Sequence, residues 1–446
     1  GTLNVQASGL LMIADVDNDG AADGGTIGES DTATTPLDTT DNAKAIDTSV
    51  ATLAAKSAEG IYIQETNEIS VDTVTVSVDR ADFDSGTTAV PTTPETLEDL
   101  ETTFNGPIKV VSLGGTITIN DDVDVDNDGV IAHGTGDVLL EARGTGSDVI
   151  VNADVASGSG NITLDAEDDV QLTGTVTVST TGGDVYLLAE NQTSTTGGGE
   201  LQGIDMAEGT SISTGGGSAR LEAQGTGDIL LGSVDAGTGD VALIADGDIL
   251  DNNDQTTTGT LNVQAADLLM IADADATGGG TIGEPDVLAT RTPGVTLKAI
   301  DTSVTTLAAS SADGIYVQET NAVAVDTVTV SVARADFDSG TTSVPTAAET
   351  LEDLTTSTNG PIKLVSTGGT ITIEDGTAAS VGVSAHGTGD VLLEARGTAS
   401  DVIVNADVTS GSGNITPDAE DDVQLTGMVT VSTTGGDVYL LAENQT

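Results

Sequence analysis

The chain has 446 residues, 72 acidic and 11 basic side chains, no Cys and a formal net charge of −61. That field repels nucleic acid and anionic membranes and favours divalent cations as partners, while the missing Cys removes disulfides and thiolate metal sites. At 37% hydrophobic residues the chain is too apolar for a disordered polyanion, and with 3 Phe, 4 Tyr and no Trp its core has to be built from Val, Ile, Leu and Ala.

Residues 1–7 read GTLNVQA, and the same letters return at 259–265. The chain opens in mid-pattern with no initiator Met or signal segment, so a mature or internal piece of a longer polypeptide is expected. No apolar run is long enough to cross a bilayer, and no membrane insertion is expected. Residues 15–23, DVDNDGAAD, come next. Asp15, Asp17 and Asp19 followed by Gly20 reproduce the front half of a calcium loop, in which alternate carboxylates converge and Gly permits the sharp turn. Asp23 stands at the ninth position, and Thr26 stands where the closing Glu belongs. Asp124, Asp126 and Asp128 before Gly129 repeat the device, with Thr135 at its end. Calcium is the cofactor these loops point to, at the weak strength useful outside cells, and the alternative is a solvated acidic turn that tolerates drift and holds no cofactor. The duplicated copy drifts: Asp273 and Asp275 persist, Thr277 replaces the third carboxylate, and EDGTAASVG replaces the second loop.

Between the two loops, TTPETLEDLE places Thr92 three residues before Glu95, and the second copy places Thr346 before Glu349. This capping-box spacing predicts a one- to two-turn helix on an excursion within 79–105 and again within 333–359, acting as a lateral cap.

From residue 133 the chain becomes regular. HGTGDVLLEARGT at 133–145 recurs at 386–398. Strands follow Gly-rich turns at Asp137 (DVLLEA), Asn161 (NITLDA), Asp184 (DVYLLA), Ser218 (SARLEA) and Asp240 (DVALIA). Val138, Ile162, Val185, Ala219 and Val241 share one column; Leu140, Leu164, Leu187, Leu221 and Leu243 the next; Ala142, Ala166, Ala189, Ala223 and Ala245 the third. Alternation with period two puts these columns on one side of a strand. Leu139, Glu141 and Arg143 then point outward, with Glu141 and Arg143 paired in solvent and Arg220 and Glu222 repeating the pair in reverse. His133 lies in the turn, away from both. The stretch reads as a wall, not as an acid–base site. The sequons at Asn161, Asn191 and Asn414 read as chance matches in an Asn- and Thr-rich chain.

A unit of about 22 residues with one buried column set must stack on its neighbours, which makes a solenoid. The expected fold is all-β, a parallel β-helix of about 22-residue coils with short loop or helix excursions. Lys44 returns as Lys298 and His133 as His386, so residues 1–258 form a first β-helix module and 259–446 a second, shorter copy within one continuous solenoid. Tandem β-sandwiches of cadherin type require a far longer period.

The reiterated G-x-G-[DN]-[VI]-x-L-x-A strands resemble the shafts of filamentous haemagglutinin-like adhesins and giant bacterial surface repeat proteins. The resemblance implies a right-handed β-helix, an extracellular or cell-surface location, and a structural or adhesive use with no catalytic residues. RTX calcium rolls are a looser match, because GTGDV lacks the residue between Gly and Asp. The leading expectation is a non-enzymatic shaft of a fibre, sheath or surface layer. The alternatives are an adhesin and a polysaccharide-active β-helix enzyme; seven aromatic residues in all serve the enzyme poorly. Self-assembly is expected end to end, through coils without polar caps, and laterally, through an outward apolar strip of Leu139, Tyr186, Leu188, Leu230 and Ile244 that places Tyr186 and Tyr439 in contacts between chains.

Overall fold

The structure, a computed structural model, describes residues 3–14, 24–30, 44–84, 86–121, 127–190, 203–253, 260–285, 298–338, 340–377 and 380–443. These residues form 47 strands and no helix. They divide into two compact units, one of Gly1–Tyr186 with Ala333–Thr342, the other of Leu187–Val332 with Ser343–Thr446.

The first unit is a stack of parallel three-strand coils. Gly60–Glu65, Ile108–Ser112, Val138–Ala142 and Ile162–Ala166 pair in register, so Ile61, Ile108, Val138 and Ile162 form one ladder and Ile63, Val110, Leu140 and Leu164 another. Ile69–Val71, Ile117–Ile119, Val149–Val151 and Val170–Leu172 line a second face. Leu100–Thr102, Asp128–Ala132 and Asp154–Ser157 line a third. The apolar ladder residues are buried to 0–2% exposure, as period-two alternation requires. The chain is a parallel β-solenoid.

Coil corners explain the Gly-Asp motif. A Cβ on Gly136 would lie 2.1 Å from the carbonyl oxygen of Gly106, and one on Gly160 2.2 Å from that of Gly136, so this column admits no side chain. The residue after each Gly ties one coil to the next. Asp137 Oδ1 accepts the Asn161 main-chain N–H at 2.8 Å, and Asn161 Oδ1 accepts that of Asp184 at 2.9 Å. Other corners do the same, with Asp148 accepting Asp169 N–H at 3.1 Å and Asp154 accepting Thr177 N–H at 2.7 Å. A good part of the acidity is thus structural, because these carboxylates satisfy main-chain donors that a tight corner would otherwise leave unpaired.

The second unit repeats the scheme. Gly314–Glu319, Ile362–Ser366, Val391–Ala395 and Ile415–Ala419 pair in register. Ala219–Ala223, Val241–Ala245 and Asp267–Ala272 do likewise, with Leu221 beside Leu243 and Leu243 beside Met270. Asp390, Asp401 and Asp407 accept the N–H groups of Asn414, Asp422 and Thr430 at 2.7, 3.0 and 2.6 Å. Val263, within the recurring GTLNVQA, lies between Val234 and Thr302 as an ordinary rung.

The helical excursions are not found. Val74–Ala81 and Thr87–Leu97 form an antiparallel hairpin, and Val328–Ala335 with Thr341–Leu351 form its counterpart. Pro91 and Pro94 interrupt helical hydrogen bonding, and the runs VTVSV and TTAV are β-branched and alternating, which outweighs one capping-box spacing. Glu349 does not cap a helix; it approaches Arg220 at 3.8 Å.

Candidate functional site: a hairpin on the outward face

The quoted stretch 133–145 is a wall, but a covered one. Val138, Leu140 and Ala142 face inward as expected. Leu139 is also fully buried and Glu141 is 7% exposed, because the hairpin tip Ala333–Thr342 lies over them within the first unit. The face it covers is set by register: Tyr62, Lys109, Leu139 and Thr163 in one row, Gln64, Val111, Glu141 and Asp165 in the next.

Four kinds of contact hold the tip. Phe337 and Ala335 join Tyr62, Val111, Leu139 and Ala45 in one buried apolar cluster. The Arg334 guanidinium donates from Nη2 to Asp165 Oδ2 at 2.7 Å and lies 3.4 Å from Glu141 Oε2, while its Nη1 reaches Asp336 Oδ1 at 3.2 Å. Lys109, buried to 1% exposure, donates from Nζ to the main-chain carbonyls of Asp336 and Asp338. The tip's own main chain donates to the sheet, Ala335 N–H to Thr163 Oγ1 at 2.9 Å and Ala333 N–H to Asp184 Oδ2 at 2.8 Å. A cation meets carbonyl dipoles, an arginine meets two carboxylates, and the remaining donors find acceptors, so little polarity is buried unpaired.

The electrostatics follow. Burial, then repulsion from Glu141, pushes the Asp165 carboxyl up to about 6 against the pull of Arg334. Burial lowers the Lys109 ammonium, opposed by Asp137, Asp338 and Asp336. Glu141 does pair with Arg143, but beneath the tip and not in solvent. Arg220 and Glu222 pair at 2.9 Å with Arg220 only 4% exposed, again a buried version of the expected surface pair. His133 is exposed and its Nδ1 lies 2.7 Å from the Thr102 carbonyl oxygen, apart from the carboxylates.

The expected outward apolar strip is largely covered by this chain itself. Leu139, Tyr186, Leu188 and Ile244 are 0, 3, 7 and 8% exposed, and Leu230 is half-buried. In the second unit Val328 and Val330 cover Ile244, Ala242, Leu269 and Ala308. Tyr439, at 58%, is exposed.

Of the expected calcium ligands, Asp15, Asp17, Asp19, Asp23, Asp124 and Asp126 lie outside the described residues. Asp128 begins a strand and pairs with Asp154 beside a bulge. Sequence reasoning did not single out Asp148, Asp168 and Asp169, whose carboxylate oxygens lie within 4.8 Å of one another. Their spacing matches no linear motif, since stacking brings them together, and one oxygen of Asp148 already accepts the Asp169 N–H. At the sequons, Asn161 Nδ2 donates to Asp137 Oδ1 at 3.1 Å, and Asn414 Oδ1 accepts Asp437 N–H at 2.9 Å, so both amides serve corners.

Two grooves bear on an enzymatic reading. One of about 730 Å³ in the first unit is lined by Gln6, Ser8, Ser49, Asn67 and Gly115 with Glu68 as its one ionisable side chain. One of about 350 Å³ in the second unit holds Glu190, Glu222 and Asp246, but no aromatic ring for a sugar to stack on. Glu222 there is engaged by Arg220 and by Gln224 at 2.8 Å. Compared with protein-family models, characterised proteins and solved structures, the chain matches none.

Proposed function

We propose that this chain is a non-enzymatic shaft segment of an extracellular or cell-surface structural protein, built to be long and to assemble with its own kind. The observation that carries the reading is repetition of the outward surface. Tyr62, Lys109, Leu139 and Thr163 of the first unit recur as Tyr316, Lys363, Leu392 and Thr416 in the same register in the second. An enzyme has no use for the same surface twice, whereas a shaft repeats its surface by construction. The scarcity of aromatic residues supports the same reading, as does the resemblance to haemagglutinin-like shafts. Adhesion to a host or matrix ligand is the alternative use of such a rod.

The test has two parts. Purified protein imaged by electron microscopy at rising concentration should form fibres with an axial period of one module, and antibody should label the surface of intact producing cells. Single particles at all concentrations, or labelling only after the cells are opened, would overturn the reading. So would release of sugar products from a polysaccharide panel.

A further inference from the structure

Two hairpins of nearly one sequence meet opposite fates. Residues 76–90 read VSVDRADFDSGTTAV and residues 330–344 read VSVARADFDSGTTSV. In the second, Phe337 is 0% and Val332 2% exposed; in the first, the equivalent Phe83 is 110% and Val78 58% exposed. The free tip nevertheless has the shape of the covered one. Asp82 N–H donates to the Gly86 carbonyl at 3.0 Å, as Asp336 N–H does to Gly340 at 3.1 Å. Thr88 donates to Asp82 Oδ2 at 2.5 Å, as Thr342 does to Asp336 Oδ2 at 2.7 Å. The turn is therefore organised before it binds anything.

A matching vacancy exists on the other unit. Tyr62, Lys109, Leu139, Thr163, Glu141 and Asp165 are all buried under the 333–342 tip. Their register equivalents Tyr316, Lys363, Leu392, Thr416, Glu394 and Asp418 are all half-buried, with the same side chain at every position. Glu394 is held by Arg396 just as Glu141 is held by Arg143.

We propose that the 79–86 tip of one molecule docks on the Tyr316–Lys363–Leu392 face of a second copy of this chain, repeating the contact seen within the first unit. Arg80 then bridges Glu394 and Asp418, the Lys363 ammonium donates to the Asp82 and Asp84 carbonyls, and Phe83 covers Leu392. The occupant is argued from the molecule itself, since a tip of this sequence already sits on a face of this sequence. One change accompanies the repeat, Asp79 in place of Ala333. Tip and face are different surfaces, so the contact is heterologous and can pass from one molecule to the next. The inference deepens the shaft reading and rests on it for its biological use, but the contact is measurable whether or not fibres form.

The experiment uses two full-length variants. Arg80→Glu alters only an exposed tip, and Glu394→Lys with Asp418→Lys alters only the face. Sedimentation velocity should show wild type associating with concentration, and each variant alone associating ~10-fold or more weakly. Mixing the two variants should restore association, because the wild-type tip of the face variant meets the wild-type face of the tip variant and the reversed tip meets the reversed face. A wild-type chain that stays monomeric overturns the proposal. So does association unchanged in both variants, or a mixture no tighter than its parts. Fibres that persist in Arg80→Glu would sink the latch and leave the shaft reading standing; restored pairing without fibres would do the reverse.

Discussion

Arg334 donates to Asp165 at 2.7 Å across 169 residues of chain, the charged member of the contacts that tie a hairpin tip to the coil wall. Glu141 shares the same guanidinium at 3.4 Å. Removing the arginine leaves Asp165 without its hydrogen-bonded cation and Glu141 with Arg143 alone. Arg334→Ala should cost about 3 kcal/mol, the scale for breaking a buried pair by deleting one partner. Hydrogen exchange should then rise at Ala335 and at the strand Val138–Ala142. Restoring neutrality with Asp165→Asn in the same chain should recover part of the loss, whereas equal losses in both variants would mean the pair is not coupled.

The pH dependence should run opposite to ordinary acid denaturation. Asp165 is held at about 6, and burial also raises Asp228 and Glu319. A folded-state pKa above the unfolded value means the native chain binds more protons, so stability is greatest below the unfolded carboxylate range and is lost as pH rises through the folded value. Melting temperature should therefore climb as pH falls from 7 towards 5, and Asp165→Asn should flatten part of that slope.

A core lesion should stay local. Leu140 stands between Val110 and Leu164 in a fully buried ladder. Leu140→Ala should cost about 2–5 kcal/mol, as deletion of a buried leucine does. Stacked repeats touch only their neighbours, so exchange protection should fall around 110, 140 and 164 and hold at 243. Leu140→Asp should prevent folding of those coils.

Two kinds of carboxylate can be told apart. At a corner the oxygen matters and the charge does not, so Asp148→Asn should leave stability unchanged or raised at low salt, while Asp148→Ala should cost ~1–2 kcal/mol by stranding the Asp169 N–H. The acidic run 15–23 is expected to act through its charge. We expect chelator in low salt to lower the melting temperature and Asp17→Asn with Asp19→Asn to remove that response. Recovery with sodium at equal ionic strength would identify screening and not calcium.

The inward half of each strand was legible in the sequence because alternation is local: Val138, Leu140 and Ala142 declare their side within five residues. The outward half was not, because what covers Leu139 and Glu141 comes from residues 333–342. A signal existed in the apolar letters at 139, 186, 188 and 244, but a strip needing cover does not say whether the same chain or another supplies it. The Thr92 and Glu95 spacing suggests a helix, but Pro91, Pro94 and the alternating valines beside them carry the signal that decides for a hairpin. The work of the corner carboxylates was not legible, because stacking, not spacing, reveals that Asp137 and Asp154 face the next coil's N–H groups.

Val263 lies at the start of the second copy of the module, yet it pairs downward with Val234 and upward with Thr302 like any other rung. A junction of this kind has no interface of its own to mismatch. Unequal recombination between copies in the gene would add or delete a whole module and still encode an unbroken ladder. Length in such a protein is then a quantity that lineages can vary by integer steps, without a folding defect at the splice, and isolates of the same source should differ by multiples of one module.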